Sequence, residues 1–125
     1  PVPLHPARQR ERGYNQAEFI ARGVAHTTKA SLIPSALIRT RATAQQALAD
    51  SAEDRVANLR DAFDAQSGEL EAIRPGGILA LVDDVLTTGA TLDACGRAIL
   101  RLRPDFELVA VVATIALRDV DPDVA

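Results

Sequence analysis

Residues Ile78 to Thr91 read I-L-A-L-V-D-D-V-L-T-T-G-A-T: an apolar run, two adjacent aspartates, two more aliphatics, then a short hydroxyl-rich loop around one glycine. The apolar run has the composition of a strand buried on both faces, as in a parallel sheet covered by helices. In open sheets of that kind, ligands gather at the carboxyl ends of the strands. The loop Thr87, Thr88, Gly89, Ala90 and Thr91 offers hydroxyls and backbone N–H groups at the start of the next helix, where the helix dipole favours an anion. The order predicts a phosphate-binding turn on an α/β fold.

Asp83 and Asp84 need a separate reason, because carboxylates beside a phosphate are electrostatically costly unless they face something else. Sugar hydroxyls and a divalent cation both suit them. A small molecule that carries a phosphate, a diol and a magnesium-bound pyrophosphate together is phosphoribosyl pyrophosphate. Leu79 to Val82, Asp83-Asp84, Val85-Leu86 and Thr87 to Thr91 closely resemble the phosphoribosyl pyrophosphate signature of type I phosphoribosyltransferases, without a gap. The alternative is a doubly wound domain in which the acids merely end a strand and Gly89 merely turns the chain. Other nucleotide folds fit less well, since neither G-x-G-x-x-G nor G-x-x-x-x-G-K-[ST] occurs. A receiver domain pairs acids too, but near its start, whereas these lie two-thirds of the way along.

The 125 residues, 47% hydrophobic and 25% charged, suit one domain over 1–125 with a single core of Ala, Val, Leu and Ile. The one cysteine, Cys95, excludes an internal disulfide and fits a reducing compartment. No run approaches the roughly 20 apolar residues that span a bilayer, and no signal-peptide pattern opens the chain, so no membrane association and a cytoplasmic location are expected. The net charge of −3 is unevenly spread: residues 1–41 carry seven cations against two acids (+5), and residues 42–125 carry seven cations against fifteen acids (−8). The basic third is a candidate anion-facing surface. Nearly absent Lys, few aromatics and a negative total argue against a dedicated nucleic-acid surface.

Pro1 to Leu4 is extended and apolar, predicting a strand, and His5 to Gly13 follows as a loop. Asn15 has the position of a helix N-cap, with Glu18 as its capping-box partner and Tyr14 and Phe19 as a hydrophobic staple. That helix should end between His26 and Lys29. Ala36 to Ile38 and Ala62 to Asp64 read as short strands. Thr40 to Glu53 reads as a loop, although Ala44 to Arg60 has helical propensity. Pro75-Gly76-Gly77 signals a turn into the signature strand. Leu92, Cys95, Ala98, Ile99 and Leu102 then fall on one helical face, Pro104 ends that helix, and Leu108 to Leu117 reads as a second buried strand. Cys95, on the apolar stripe, belongs to the core. Strands alternating with helices imply a mostly parallel twisted sheet with right-handed crossovers.

The phrase P-V-P-L-H-P-x-R-x-R-x-R-G-Y-N-Q-A-E over Pro1 to Glu18, taken with D-D-V-L-T-T-G-A-T-L, resembles the ComF family of phosphoribosyltransferase-like proteins associated with competence. Thr43 to Gln46 matches its T-x-x-Q step. Arg55 to Leu59 with Ala62-Phe63 matches R-x-x-N-[LV]-x-x-A-F, although the spacing between the two steps is altered. The cysteine-rich zinc finger typical of the family is not among these residues.

The resemblance implies a type I phosphoribosyltransferase fold with its hood largely absent. It implies ribose hydroxyls on Asp83 and Asp84, the 5'-phosphate on Thr87, Thr88, Gly89, Ala90 and Thr91, and pyrophosphate near Arg8, Arg12, Gly13, Asn15 and Gln16. Arg39, Arg41, Thr43, Gln46 and Arg55 would belong to a flexible lid over about residues 40–60. The cofactor expected is Mg²⁺, held mainly by the ligand's oxygens with Asp83 or Asp84 acting through hydroxyls or water. The expected activity is transfer of phosphoribose to an unidentified nitrogen nucleophile with release of pyrophosphate. A phosphoribosyl pyrophosphate sensor or DNA-uptake accessory without turnover is the alternative, with competence proteins or a second copy of the chain as possible partners.

Overall fold

The computed structural model describes residues 1–40, 53 and 58–116. In chain order these form α1 (Pro6–Arg12), α2 (Gln16–Thr28), β1 (Leu37–Arg39), β2 (Phe63–Ala65), α3 (Ser67–Glu71), β3 (Ile78–Leu86), α4 (Ala90–Leu102) and β4 (Glu107–Ile115). The architecture is mixed α/β, as the alternation of patterns predicts. The expectation of one mostly parallel sheet is corrected: β3 and β4 pair in parallel, whereas β1 and β2 form a separate antiparallel pair. The register of that pair, Leu37 opposite Ala65 and Arg39 opposite Phe63, is that of two strands folding back on each other. It is closed at its ends by Thr40 N–H to Ala62 O (2.8 Å) and Gln66 N–H to Ala36 O (2.9 Å).

The signature strand runs through both aspartates to Leu86, in register with β4 from Ile78 opposite Glu107 to Leu86 opposite Ile115. Helix α4 packs on β3 and β2 and buries Ala94, Cys95, Gly96, Ala98 and Ile99. Its core face is therefore turned slightly from the predicted stripe, and Leu102, expected inside, is 44% exposed. Small residues face the sheet because the helix lies close to it: a Cβ on Gly96 would stand 3.3 Å from Leu108 Cδ1 and 3.8 Å from Leu81 Cδ1. Phe63, Leu70, Ile99 and Cys95 are the largest fully buried side chains, and each aliphatic or aromatic side chain so buried contributes about 1.5–3 kcal/mol.

Burial on both faces holds only for the middle of β3, where Leu81 and Val82 are buried; Ile78 is 67% exposed, and Val109 and Ile115 of β4 are exposed as well. The described elements cover one side of this sheet more completely than the other.

The expected strand at Pro1 to Leu4 does not form. Val2 is buried, and its N–H donates to Val82 O at 2.8 Å. Its carbonyl instead accepts from Asn15 Nδ2 at 2.9 Å, while Asp84 N–H turns to Asp83 Oδ1 at 2.9 Å. A ladder that loses its second bond to side chains stops after one rung.

His5 to Gly13, expected as a loop, contains helix α1. His5 Nδ1 accepts from Ala7 N–H at 3.1 Å, proline occupies the first turn, and Gly13 closes the helix with φ 76°. Histidine as cap and proline just inside satisfy that first turn without the usual Ser, Thr or Asp. The start of α2 is as predicted: Asn15 Oδ1 accepts from Ala17 N–H, and the Tyr14 and Phe19 rings meet edge to face at 5.7 Å. Glu18, however, pairs with Arg22 at 2.6 Å. Helix α2 ends at Thr28, with Lys29 left-handed. Helix α3, for which the sequence reading named no element, is anchored by fully buried Leu70. The loop or helix expected over residues 40–60, with Arg41, Thr43, Gln46 and Arg55, lies outside the described residues apart from Thr40, Glu53 and residues 58–60.

Candidate functional site

Strand β3 delivers Asp83 and Asp84 to the end of the parallel sheet, and the chain then bends through Thr87, Thr88 and Gly89 into α4. Gly89 takes φ 80°, a left-handed conformation that costs other residues about 1–2 kcal/mol. A Cβ there would also stand 3.7 Å from Leu86 Cδ1. The bend is fixed from within, since Thr88 Oγ1 accepts from Ala90 N–H at 3.3 Å and Gly89 O accepts from Asp93 N–H at 2.9 Å.

Asp83, Thr87, Gly89 and Thr91 line one small cavity together with Val85, Leu86 and Leu92. Its volume, about 10 Å³, is room for about one water. Of the residues singled out from the sequence, Asp83, Thr87, Gly89 and Thr91 thus meet around one concavity at the amino end of a thirteen-residue helix, whereas Asp84, Thr88 and Ala90 are not on its lining.

Asp83 is half-buried, and this burial, reinforced by the neighbouring Asp84 carboxyl, pushes its pKa from 3.8 up to about 6; the Asp84 N–H bond opposes the rise. Removing a carboxylate from water disfavours its charge, and a second carboxylate alongside disfavours it further. The pair is therefore short of positive charge or hydrogen-bond donors, which is the deficit that a diol or a cation would relieve. Among the described residues no group of three or more His, Cys, Asp or Glu is placed to hold a metal.

The basic residues reach this end of the molecule from two elements. Arg8, Arg10 and Arg12 are exposed on α1, and Arg12 Nη1 donates to Gln16 Oε1 at 2.9 Å. Asn15 spends its amide on structure, capping α2 and binding Val2 O. Arg39 stands on β1, with its guanidinium 5.3 Å from the Phe63 ring centre and its Nε buried without a partner. Burial lowers its pKa, and the charge of Arg8 adds to this. Two cations from different elements that feel each other's charge repel, and an anion nearby would relieve that repulsion.

Sequence reasoning missed the neighbourhood of Cys95. Burial first, and the charge of Asp83 after it, push its thiol up to about 12. The apolar stripe places Cys95 in the core, but only the packing of α4 under β3 brings it near the acid pair.

Over 103 residues the chain is 37% identical to Competence protein F of Haemophilus influenzae, covering 82% of this chain and 43% of that protein. It is 36% identical over 100 residues to DNA utilization protein YhgH of Escherichia coli, and likewise to YhgH of Salmonella typhimurium, covering 80% of this chain and 41% of each. The chain thus spans about two fifths of the length of the curated relatives it matches. No family model and no solved structure matches it. No helix among the described residues is long and apolar enough to cross a membrane. With motif and relatives in agreement over four fifths of its residues, the chain is a homologue of Competence protein F and YhgH, and these relatives support the ComF family read from its motifs.

Proposed function

We propose that the chain binds phosphoribosyl pyrophosphate with Mg²⁺ at the junction of β3 and α4 and transfers the phosphoribosyl group to a nitrogen nucleophile, releasing pyrophosphate. The observation that carries this reading is the single concavity shared by Asp83, Thr87, Gly89 and Thr91. The 5'-phosphate sits on the Thr87 to Thr91 turn, where amides and hydroxyls at the helix start complement its charge. The ribose diol donates to Asp83 and Asp84, and the raised proton affinity of Asp83 is equally an affinity for hydroxyl donors.

The pyrophosphate end faces Arg8 and Arg12 on α1, with Gly13, Asn15 and Gln16 shaping the entrance to α2. A bound Mg²⁺ would supply positive charge to the departing pyrophosphate, with Asp83 or Asp84 reaching it through hydroxyls or water. Catalysis then rests on positioning and on stabilising charge as the sugar carbon becomes cation-like, more than on proton transfer. Arg39, Arg41, Thr43, Gln46 and Arg55 complete the reading as residues that exclude water from the occupied site.

A second reading is favoured by the names of the relatives, which speak of competence and DNA utilization. In it the same site binds phosphoribosyl pyrophosphate without turnover, and the chain serves as a sensor or accessory in DNA uptake. The test has two stages. Calorimetric titration with phosphoribosyl pyrophosphate and Mg²⁺ should give binding that weakens about tenfold or more, roughly 1.4 kcal/mol, in both Asp84→Asn and Gly89→Val; unchanged affinity in both removes the site. Pyrophosphate release is then measured against bases, amines and ammonia. Release with one of them selects the enzyme, and silence with tight binding selects the sensor.

A further inference from the structure

Two hydrogen bonds of the site stand where a backbone rung would otherwise form. A cavity of about 710 Å³ is lined by Pro1 and by Ile78 to Val82, but not by Pro3 or Leu4, so the segment from Pro1 runs in the same sense as β3. Val2 N–H donates to Val82 O at 2.8 Å. In a parallel pair, a residue that donates to a neighbour's carbonyl accepts from the N–H two positions further along. Val2 O and Asp84 N–H are therefore natural partners. Each is instead taken by a side chain of the site: Val2 O accepts from Asn15 Nδ2 at 2.9 Å, and Asp84 N–H donates to Asp83 Oδ1 at 2.9 Å.

Both diverting side chains have another use. The Asp83 carboxylate only accepts, and it accepts from the N–H of the very next residue, so the hydroxyls of a diol compete for the same oxygens. A carboxylate drawn outward leaves Asp84 N–H unmatched in a part-buried position, which is costly. The acceptor standing opposite is Val2 O.

Asn15 keeps its cap on α2 through Oδ1, 3.1 Å from Ala17 N, whatever Nδ2 binds. Its amide can therefore leave Val2 O without unmaking the helix start. The next residue, Gln16, accepts from Arg12 Nη1 at 2.9 Å, which puts Asn15 beside a cation assigned to pyrophosphate.

We propose that Asn15 is a positioning residue that couples the two halves of the site. Ligand hydroxyls draw Asp83 away from Asp84 N–H, Val2 O takes that N–H and closes the rung, and Asn15 Nδ2 turns from Val2 O to a pyrophosphate oxygen. The inference rests on the ligand reading above and adds a consequence to it. The sugar end, once seated, tightens the hold on the pyrophosphate end, and by linkage the reverse holds too.

The test uses the halves of the ligand as separate probes, ribose 5-phosphate and pyrophosphate, both with Mg²⁺. In the wild type, saturating ribose 5-phosphate should tighten pyrophosphate binding about fivefold or more, shift the Asn15 side-chain amide resonances and slow exchange of the Asp84 amide. Asn15→Ser keeps a capping oxygen and adds no charge. In that variant the Asp84 amide should exchange slowly even without ligand, because Val2 O is open to it, and ribose 5-phosphate should leave pyrophosphate affinity unchanged. Equal tightening in both proteins, or wild-type Asp84 and Asn15 signals that ribose 5-phosphate does not move, overturns the coupling. Independent binding of the two probes to the wild type overturns it while the ligand site stands, whereas failure of ribose 5-phosphate to bind overturns both. If Asn15→Ser does not fold, the wild-type exchange and resonance changes decide alone.

Discussion

Replacing Asp83 by asparagine should stabilise the protein at neutral pH while weakening its ligand site. Burial first, and the Asp84 carboxyl after it, raise the Asp83 pKa from 3.8 to about 6. The sign follows from proton counting. A carboxyl whose folded pKa lies above its unfolded value binds more protons in the folded state, so stability falls as pH rises from about 3.8 through about 6 and stays reduced above that window. A shift of about two units corresponds to about 3 kcal/mol. Half of the side chain meets solvent, and screening brings the expected effect to about 1–2 kcal/mol.

Asparagine has nearly the same shape and keeps an oxygen to accept the Asp84 N–H, which now lies 2.9 Å from Asp83 Oδ1. The assay is urea unfolding of wild type and Asp83→Asn from about pH 4 to about pH 8, where the difference between the two curves isolates this carboxyl from all others. The variant should be more stable by about 1–2 kcal/mol above pH 7, with the gap closing toward pH 4. A gap of the same size at every pH, or none above pH 7, refutes the account of why this acid is costly.

Two further outcomes test the frame around the site. Asn15 holds two jobs, so Asn15→Ala should lose about 1 kcal/mol from the cap alone and more from the tie to Val2 O, whereas Asn15→Asp keeps the cap and loses the tie; thermal unfolding of the three proteins should rank wild type, Asp, Ala. Arg103 binds Asp105 through two bonds of 2.9 Å, donates to Leu70 O and Ile73 O, and stacks 4.0 Å over Phe106. Its partner is held well below the usual carboxylate range by that pairing. Arg97 makes one exposed bond to Asp93, so Arg103→Ala should lower Tm clearly more than Arg97→Ala; equal Tm values would mean that the network contributes nothing beyond an exposed helix pair.

Local chemistry made much of the site legible in advance. The apolar run, the acid pair, the left-handed Gly89 and the cap at Asn15 each depend on residues within a few positions of one another, and a strand's composition or a capping side chain acts at that range. Long-range pairing is different. Whether Phe63 returns to Leu37 antiparallel or joins a larger parallel sheet depends on partners distant in the chain, and three-residue strands carry no periodicity that settles it. Helix α1 escaped notice for another reason: histidine served as its cap, and a run of arginines has no apolar face to betray a helix that buries nothing.

The sequence alone determined an α/β chain with a phosphate-type turn after a strand ending in two acids, because hydrophobic runs, caps and positive-φ glycines are written locally. Tertiary structure alone decided that Asp83 is half-buried beside Asp84 with a raised pKa, that the charge of Arg8 reaches Arg39, and that the β3 run Ile78 to Val82 lines a cavity away from the acid pair. Those three properties arise from burial and from charges meeting across elements. Desolvation depends on everything packed around a group, and no stretch of residues specifies that by itself.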